Sequence, residues 1–222
     1  MSTIGLMANG PTDLLPDFST FKNEIDIWIG ADRGALTLLN LNITVDYALG
    51  DFDSISMHEE NKIKKDAKHF MKFPKEKDQT DLEIALNKAF ELHANKIYLF
   101  GVTGGRLDHT LVNIQTLYLI KKRKIKGIMV DRYNKLELTT PGKHIVTKEE
   151  EYSNISFLPL TPVVEGLTLS GFYYPLLNEK IMMGSTLCIS NKLLSNKGTF
   201  FYEEGILLLI KSRDSSINPI PL

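Results

Sequence analysis

One cysteine, Cys188, is present in the whole chain, so no intrachain disulfide can form. The fold must rest on a hydrophobic core, and a reducing, cytoplasmic setting is the simple expectation. Cys188 sits in the run Thr186-Leu187-Cys188-Ile189 and reads as a small apolar filler rather than a reactive thiol. An excess of charge of one sign is also missing. The 26 basic and 27 acidic residues leave a net charge of -1. A large basic surface is therefore absent, which argues against nucleic acid as the main partner. A small anion needs only a local patch and stays open. Long hydrophobic runs are missing too. A run such as Ile206 to Ile210 is far short of the roughly 20 residues that span a bilayer, so no membrane partner is expected. The opening Met1-Ser2-Thr3-Ile4 has no charged stretch followed by a long apolar one, so no signal peptide is expected. Two phosphate-binding signatures, GxxxxGK[ST] and GxGxxG, do not occur, and neither do internal repeats.

The 222 residues that are present suffice for one large domain or two modest ones. Up to about residue 130, short apolar runs alternate with amphipathic stretches. Ile25 to Ile29, Val45 to Leu49, His69 to Phe73, Ile97 to Phe100 and Ile128 to Val130 read as buried strands. Leu82, Ala85, Leu86, Ala89 and Phe90 recur at helical spacing, as do Leu111, Ile114, Leu117 and Tyr118. Strand and helix in alternation predict an α/β domain, a mainly parallel sheet with helices on both faces, over residues 1–135. Thr139-Thr140-Pro141-Gly142 is a turn or linker signal. Beyond it, over 140–222, come short β-rich runs: His144 to Thr147, Ile155 to Leu158, Val163 to Leu169, Thr186 to Ser190, Thr199 to Tyr202 and Ile206 to Lys211. Gly, Pro, Asn and Ser separate them, which predicts an antiparallel β-sandwich. Ile217 to Leu222, with two prolines, reads as an extended end.

Parallel α/β sheets bind ligands beyond the carboxyl ends of their strands, so the residues just after each apolar run carry the information. The first run is followed by Gly30-Ala31-Asp32-Arg33-Gly34, which fits either a close approach to a ligand at a helix start or a plain turn with Asp32 as the cap. The second is followed by Gly50-Asp51-Phe52-Asp53-Ser54. Two carboxylates two residues apart suit Mg²⁺, which takes one or two carboxylates together with phosphate oxygens; solvated loop acids are the plainer alternative. After the third, Thr80 and Glu83 have capping-box spacing and place Asp81 in the first turn of a helix, where complementing the helix dipole is by itself the plainer role. After the fourth, Gly104, Gly105 and Arg106 form a nest suited to phosphate oxygens, with Asp108 and His109 beginning a helix. His109 reads equally as a general base or as a first-turn residue bonding the backbone. Each motif is weak alone. Together they bring Asp32, Asp51, Asp53, Asp81 and Asp108 to one sheet edge, where their mutual repulsion calls for a cation or for protons. Metal-assisted phosphoryl-type transfer needs both the acids and the nest.

The same motifs, in this order, resemble those of the thiamine pyrophosphokinases. Gly171-Phe172-Tyr173-Tyr174-Pro175-Leu176 and Ser190-Asn191 resemble that family's thiamine-side motifs, so the resemblance covers nearly the whole chain. Some members carry Trp where Tyr174 stands here, and an aromatic ring is retained. The resemblance implies transfer of the diphosphate of ATP to the hydroxyl of thiamine, by a homodimer with active sites at the subunit interface. It implies Mg²⁺ on Asp51, Asp53 and Asp81, and ATP on Asp32, Arg33, Gly34, Thr80, Gly104, Gly105, Arg106 and His109. Ser190, Asn191 and Tyr174 would serve thiamine. Asp81 or Asp108 would orient or deprotonate the hydroxyl. A diphosphokinase of another hydroxymethyl heterocycle, such as a pterin, is the first alternative, and a non-enzymatic thiamine or nucleotide sensor the second.

Overall fold

The computed structural model describes residues 2–76 and 78–215. The chain forms two compact units, Met1–Arg132 and Tyr133–Leu222. In the first, six strands pair in parallel: β1 (Ser2–Met7), β2 (Ile27–Ala31), β3 (Tyr47–Gly50), β4 (His69–Lys72), β5 (Ala94–Phe100) and β6 (Lys126–Val130). Their order is β4-β3-β2-β1-β5-β6. Helices α1 (Arg33–Asn40), α2 (Met57–Asp66), α3 (Asp81–Glu91) and α4 (Leu107–Lys122) connect them. The direction of travel across the sheet reverses at β1. Right-handed crossovers then put α1 and α2 on one face and α3 and α4 on the other. A buried cluster fills this unit, with Phe18, Trp28 and Phe100 in mutual ring contact.

The expected strands are present with shifted ends, and β1 is the addition. Ser2–Met7 is six residues long and lies between β2 and β5, at the centre of the sheet. Its Thr-Ile-Gly-Leu-Met text is short, and Gly5 weakens the strand pattern. The structure needs that glycine, because a Cβ there would lie 2.7 Å from the Trp28 ring. Helix α2 is also additional. Apart from Met57, Ile63 is its only apolar residue, which leaves almost no helical periodicity to read, yet Ser56 and Glu59 form a full capping box at its start.

The second unit has seven strands: β7 (Asn134–Thr139), β8 (Gly142–Thr147), β9 (Asn154–Pro159), β10 (Val163–Ser170), β11 (Leu176–Met182), β12 (Lys197–Tyr202) and β13 (Leu207–Ser212). They pair antiparallel as β7-β13-β9 and as β11-β10-β12-β8. Residues from both groups share one core, including Phe157 of β9, Leu167 of β10, Phe200 of β12 and Leu209 of β13, so the expected sandwich is formed. Thr140-Pro141 makes the turn between β7 and β8. The run Thr186 to Ser190 is not the strand that its composition suggests; it forms turns and bends. Ser190 adopts a left-handed φ of 55°, which breaks an extended path, and single bonds such as Phe157 N–H to the Cys188 carbonyl (2.9 Å) replace a ladder. Cys188 itself is buried in the core as expected, and burial pushes its thiol up to about 11, with the Glu179 charge adding to the effect. The expected extended end at Ile217 to Leu222 lies outside the described residues. Among those described, no helix is long and apolar enough to cross a membrane.

One contact sets where α1 starts. Gly34 packs so closely on the end of β1 that a Cβ would sit 2.0 Å from the Met7 carbonyl oxygen. A backbone obstacle cannot rotate away. Gly34→Ala is therefore expected to lose at least about 3 kcal/mol, lowering the thermal midpoint by roughly 6–12 °C. An unchanged midpoint in a melt followed by circular dichroism would refute this packing.

Candidate active site

Because β2 to β5 run parallel, the segments after them all emerge at the same sheet edge. Asp32 follows β2, Asp51 and Asp53 follow β3, Asp81 opens α3 after β4, and Asp108 lies in the first turn of α4 after β5. The first two segments are locked together. Asp32 N–H donates to the Leu49 carbonyl at 2.7 Å, and a Cβ on Gly50 would come within 2.9 Å of the Asp32 Cα. Glycine at position 50 is therefore what lets the two acidic segments touch.

Asp32 is held in an unusual state. Its backbone has φ 50° and ψ -124°, a sparsely populated region for a residue with a side chain. It is 8% exposed, and its carboxylate does not cap α1. Oδ2 accepts a 2.6 Å hydrogen bond from the Ser54 hydroxyl, while Oδ1 is buried with no hydrogen-bond partner among the described residues. Arg33, exposed beside it, donates from Nη1 to the Ser54 carbonyl at 3.3 Å. The acidic loop is shaped by Phe52, whose left-handed φ of 57° is fixed by burial and stacking on Phe70. Asp51 and Asp53 flank it, and Asp53 N–H donates to Asp51 Oδ1 at 3.1 Å. Asp53 also pairs with Lys75 at 2.6 Å. The hydrogen bond to Asp53, helped by the Asp51 charge, holds the Lys75 ammonium above its ordinary pKa.

At α3 the expected capping box is complete: Thr80 Oγ1 accepts from Glu83 N–H at 3.2 Å, and Thr80 N–H donates to Glu83 Oε2 at 3.0 Å. The Thr80 hydroxyl is thus engaged locally, and Asp81 is half-buried behind it. Beside α3 a cleft of about 540 Å³ is lined by Leu49, Met71, Phe73, Ile84, Asn87 and Lys88 among others. A lining of apolar side chains with a few polar ones suits a flat heterocycle. After β5, Gly104 and Gly105 both adopt left-handed φ (85° and 67°). Gly104 packs on Leu14, while Gly105 faces open space. Arg106 grips Asp108 with two bonds, Nη2 to Oδ2 at 2.5 Å and Nε to Oδ1 at 3.2 Å. The hydrogen bonds from Arg106 hold the Asp108 carboxyl below the usual range, and the neighbouring His109 adds to this. His109 is exposed.

Sequence reasoning left several contributors unassigned. The loop after β1 lies at the point where strand order reverses, the preferred ligand crevice of such sheets. There Gly10 N–H donates to the Gly101 carbonyl at 2.7 Å, joining the loops after β1 and β5. Asp131 is buried after β6 and accepts from Thr103 at 2.8 Å, which anchors the glycine loop. The strand-end rule would have found Asp131, since it directly follows Ile128 to Val130. Ser54 stands in the acidic motif but was given no role from the sequence, and Lys75 gave no sequence signal.

The all-oxygen donors and the unfilled Oδ1 of Asp32 fit a hard divalent cation. Among the described residues, however, no three or more acidic, His or Cys side chains form a ready-made metal cluster. The arrangement suits an ion that arrives with phosphate oxygens already attached.

In the second unit, Asn191 is 2% exposed, and its amide is committed to the protein. Oδ1 accepts from Tyr174 N–H (3.0 Å) and Lys192 N–H (2.8 Å), and Nδ2 donates to the Tyr174 carbonyl (2.8 Å). Tyr174 is 58% exposed, edge-on to Tyr173 at 4.9 Å. Ser190 is exposed, with its N–H on Ser156 Oγ at 3.0 Å.

Residues 18–129 match the family described as thiamin pyrophosphokinase, catalytic domain, and residues 143–207 match the thiamin pyrophosphokinase vitamin B1 binding domain. The chain is 45% identical over 214 residues to the thiamine pyrophosphokinase of Bacillus subtilis (strain 168), covering 96% of this chain and 100% of that one. The crystal structure of a Bacillus subtilis thiamine pyrophosphokinase superposes with a TM-score of 0.90 at 45% identity, over 96% of this chain and 100% of that one. That of the Geobacillus thermodenitrificans thiamin pyrophosphokinase gives 0.86 at 43%, over 96% and 99%. Thiamin pyrophosphokinase from Candida albicans shares the fold with a TM-score of 0.79 at 18% identity, over 95% and 90%. Two family matches on successive parts of the chain, and near-complete coverage of a relative at this identity, establish that the chain belongs to the thiamine pyrophosphokinase family.

Proposed function

We propose that this enzyme transfers the diphosphate of ATP to the hydroxyl of thiamine, giving thiamine diphosphate and AMP. The observation that carries the reading is the convergence of Asp32, Asp51, Asp53, Asp81 and the Arg106–Asp108 pair on one edge of a parallel sheet. The thiamine oxygen attacks the β-phosphorus in line, the bond from that phosphorus to the α,β-bridging oxygen breaks, and AMP carries the bridging oxygen away. Asp51, Asp53 and Asp81 would hold Mg²⁺ together with the phosphates. Bound there, the ion supplies neutralisation of the charge on the transferring group. Arg33 and Arg106 neutralise the phosphates from the protein side, and Gly105 leaves room for oxygens beside the Gly104 nest. Asp32, Gly34, Thr80 and His109 complete the nucleotide side, with Gly34 and Thr80 acting through the backbone they fix.

The hydroxyl proton needs an acceptor. Asp81 and Asp108 are the two candidates, and the hydrogen bonds between Asp108 and Arg106 suit Asp108 to orienting that guanidinium. On the thiamine side, the exposed Tyr174 ring faces a cationic thiazolium, Ser190 offers its hydroxyl to the aminopyrimidine, and Asn191 contributes by holding the Tyr174 backbone. Two copies of the chain share each active site in this reading, supported by exposed apolar side chains on α4 (Leu107, Leu111, Val112) and in the second unit (Leu177, Leu187, Leu194). A lone buried thiol supports a cytoplasmic setting.

Incubation with ATP, Mg²⁺ and thiamine should yield AMP and thiamine diphosphate in equal amounts. Product from a hydroxymethylpterin and none from thiamine would overturn the assignment. Asp51→Asn and Asp53→Asn, both in a loop outside the core, are expected to fold normally and to lose at least about 100-fold in turnover; wild-type turnover at limiting Mg²⁺ removes them from the metal. Tyr174→Ala should raise the KM for thiamine about 2- to 30-fold and leave that for ATP unchanged. Arg106→Ala should do the reverse. The division of labour fails if the two variants exchange their effects or show none. For assembly, specific activity should fall on dilution as the dimer dissociates, and a fully active monomer in sedimentation would exclude shared sites.

A further inference from the structure

Ser54 closes the acidic loop, yet nothing in the proposed reaction uses it. Its hydroxyl donates a 2.6 Å hydrogen bond to Oδ2 of Asp32, and its carbonyl accepts from Nη1 of Arg33 at 3.3 Å. One exposed residue thus grips two consecutive side chains that stand at the nucleotide end of the site.

The grip matters because of what it leaves unfilled. The terminal torsion of an aspartate is broad, so nothing intrinsic fixes the angle at which its two equivalent oxygens are held. A buried acceptor without a donor is costly, and an unrestrained carboxylate would turn to satisfy it. In Asp32 this has not happened: Oδ2 is tied to Ser54, and Oδ1 remains buried and unsatisfied at 8% residue exposure. The strained backbone of Asp32, locked by the Leu49 carbonyl and the close Gly50, fixes the base of the side chain. Ser54 fixes its tip. A carboxylate oxygen restrained at both ends and left without a donor is suited to a cation or donor that arrives with a ligand.

We propose that Ser54 is a positioning residue. Its hydroxyl holds Asp32 so that Oδ1 is presented to the magnesium–nucleotide complex, and its carbonyl holds the Arg33 guanidinium alongside. The proposal rests on the assignment of Asp32 and Arg33 to the nucleotide. A staple that merely stabilised the loop would predict a loss of stability with the nucleotide response retained.

The test compares Ser54→Ala, Ser54→Thr and Ser54→Ala in an Asp32→Asn background. It reads steady-state kinetics and, without thiamine or turnover, the rise in unfolding midpoint produced by Mg²⁺ with a non-hydrolysable ATP analogue. Ser54→Ala should keep the wild-type midpoint, lose about 10- to 100-fold in kcat/KM for ATP and show a diminished analogue-induced rise, with the thiamine KM unchanged. Ser54→Thr, which keeps the hydroxyl, should recover most of both. On the Asp32→Asn background, Ser54→Ala should add less than about twofold, because the two act as one unit. The proposal is overturned by a wild-type nucleotide response in Ser54→Ala, by a full additional loss in the double variant, by no recovery with threonine, or by a Ser54→Ala that fails to fold. If the wild-type protein made no thiamine diphosphate, the functional reading would fall, while the analogue-binding arm would still decide the role of Ser54.

Discussion

The parallel pairing of β1 with β2 on one side and β5 on the other is the constraint on which the first unit depends. Parallel strands bring all their carboxyl ends to one edge, and a reversal of order at the central strand leaves the loops there splayed around a crevice. Every acidic segment of the candidate site is a consequence of that arrangement. Glycines tune it at particular points. Gly34 seats α1 on the end of β1, Gly50 lets the second acidic segment touch Asp32, and Gly101 with Gly10 joins the loops on either side of the reversal.

Crowding carboxylates at one edge creates a repulsion that the structure handles with local partners. Lys75 answers Asp53, Arg106 answers Asp108, and the Ser54 hydroxyl answers one oxygen of Asp32. The two ion pairs are exposed, so each contributes little to stability and can be exchanged for a ligand at small cost. In the proposed reaction, that property would let the site accept a polyanion and a cation together. Arg106 can leave Asp108 for phosphate oxygens, and Asp53 can leave Lys75 for a metal ion. Asp32 is different in kind, because its free oxygen is buried and cannot be satisfied by solvent.

The second unit uses its polar groups for shape. Buried aromatic side chains, including Phe157, Phe172 and Phe200, form the inside of the sandwich. Against that rigid base, Asn191 binds the backbone of Tyr174 on both sides, presenting an exposed ring on a fixed support. The ring is a functional candidate, and the amide behind it accounts for its orientation.

Much of this was legible in the sequence. Periodicity marked α3, where buried Leu82, Ala85, Leu86 and Ala89 recur at helical spacing, and it marked α4 although only Leu117 of the residues read there is buried, Leu111 and Tyr118 being exposed. Strand runs such as Ile97 to Phe100 were legible because burial on both faces leaves continuous apolar text. The acidic motifs were legible as sharing one sheet edge, since a residue after a parallel strand can emerge nowhere else. Local text misled at Thr186 to Ser190, where apolar composition suggests a strand but a left-handed serine and isolated contacts make turns. It was too weak at β1, a short run whose central place is set by neighbours distant in sequence. By itself, then, the sequence determined that the acidic residues share an edge, because that follows from strand order and residue type. Only the tertiary structure decided their states: the strained Asp32 with one free oxygen, the Ser54 hydroxyl upon it, and an Asn191 amide turned inward to Tyr174. Those depend on contacts between segments 17 to 22 residues apart, whose geometry no local pattern encodes.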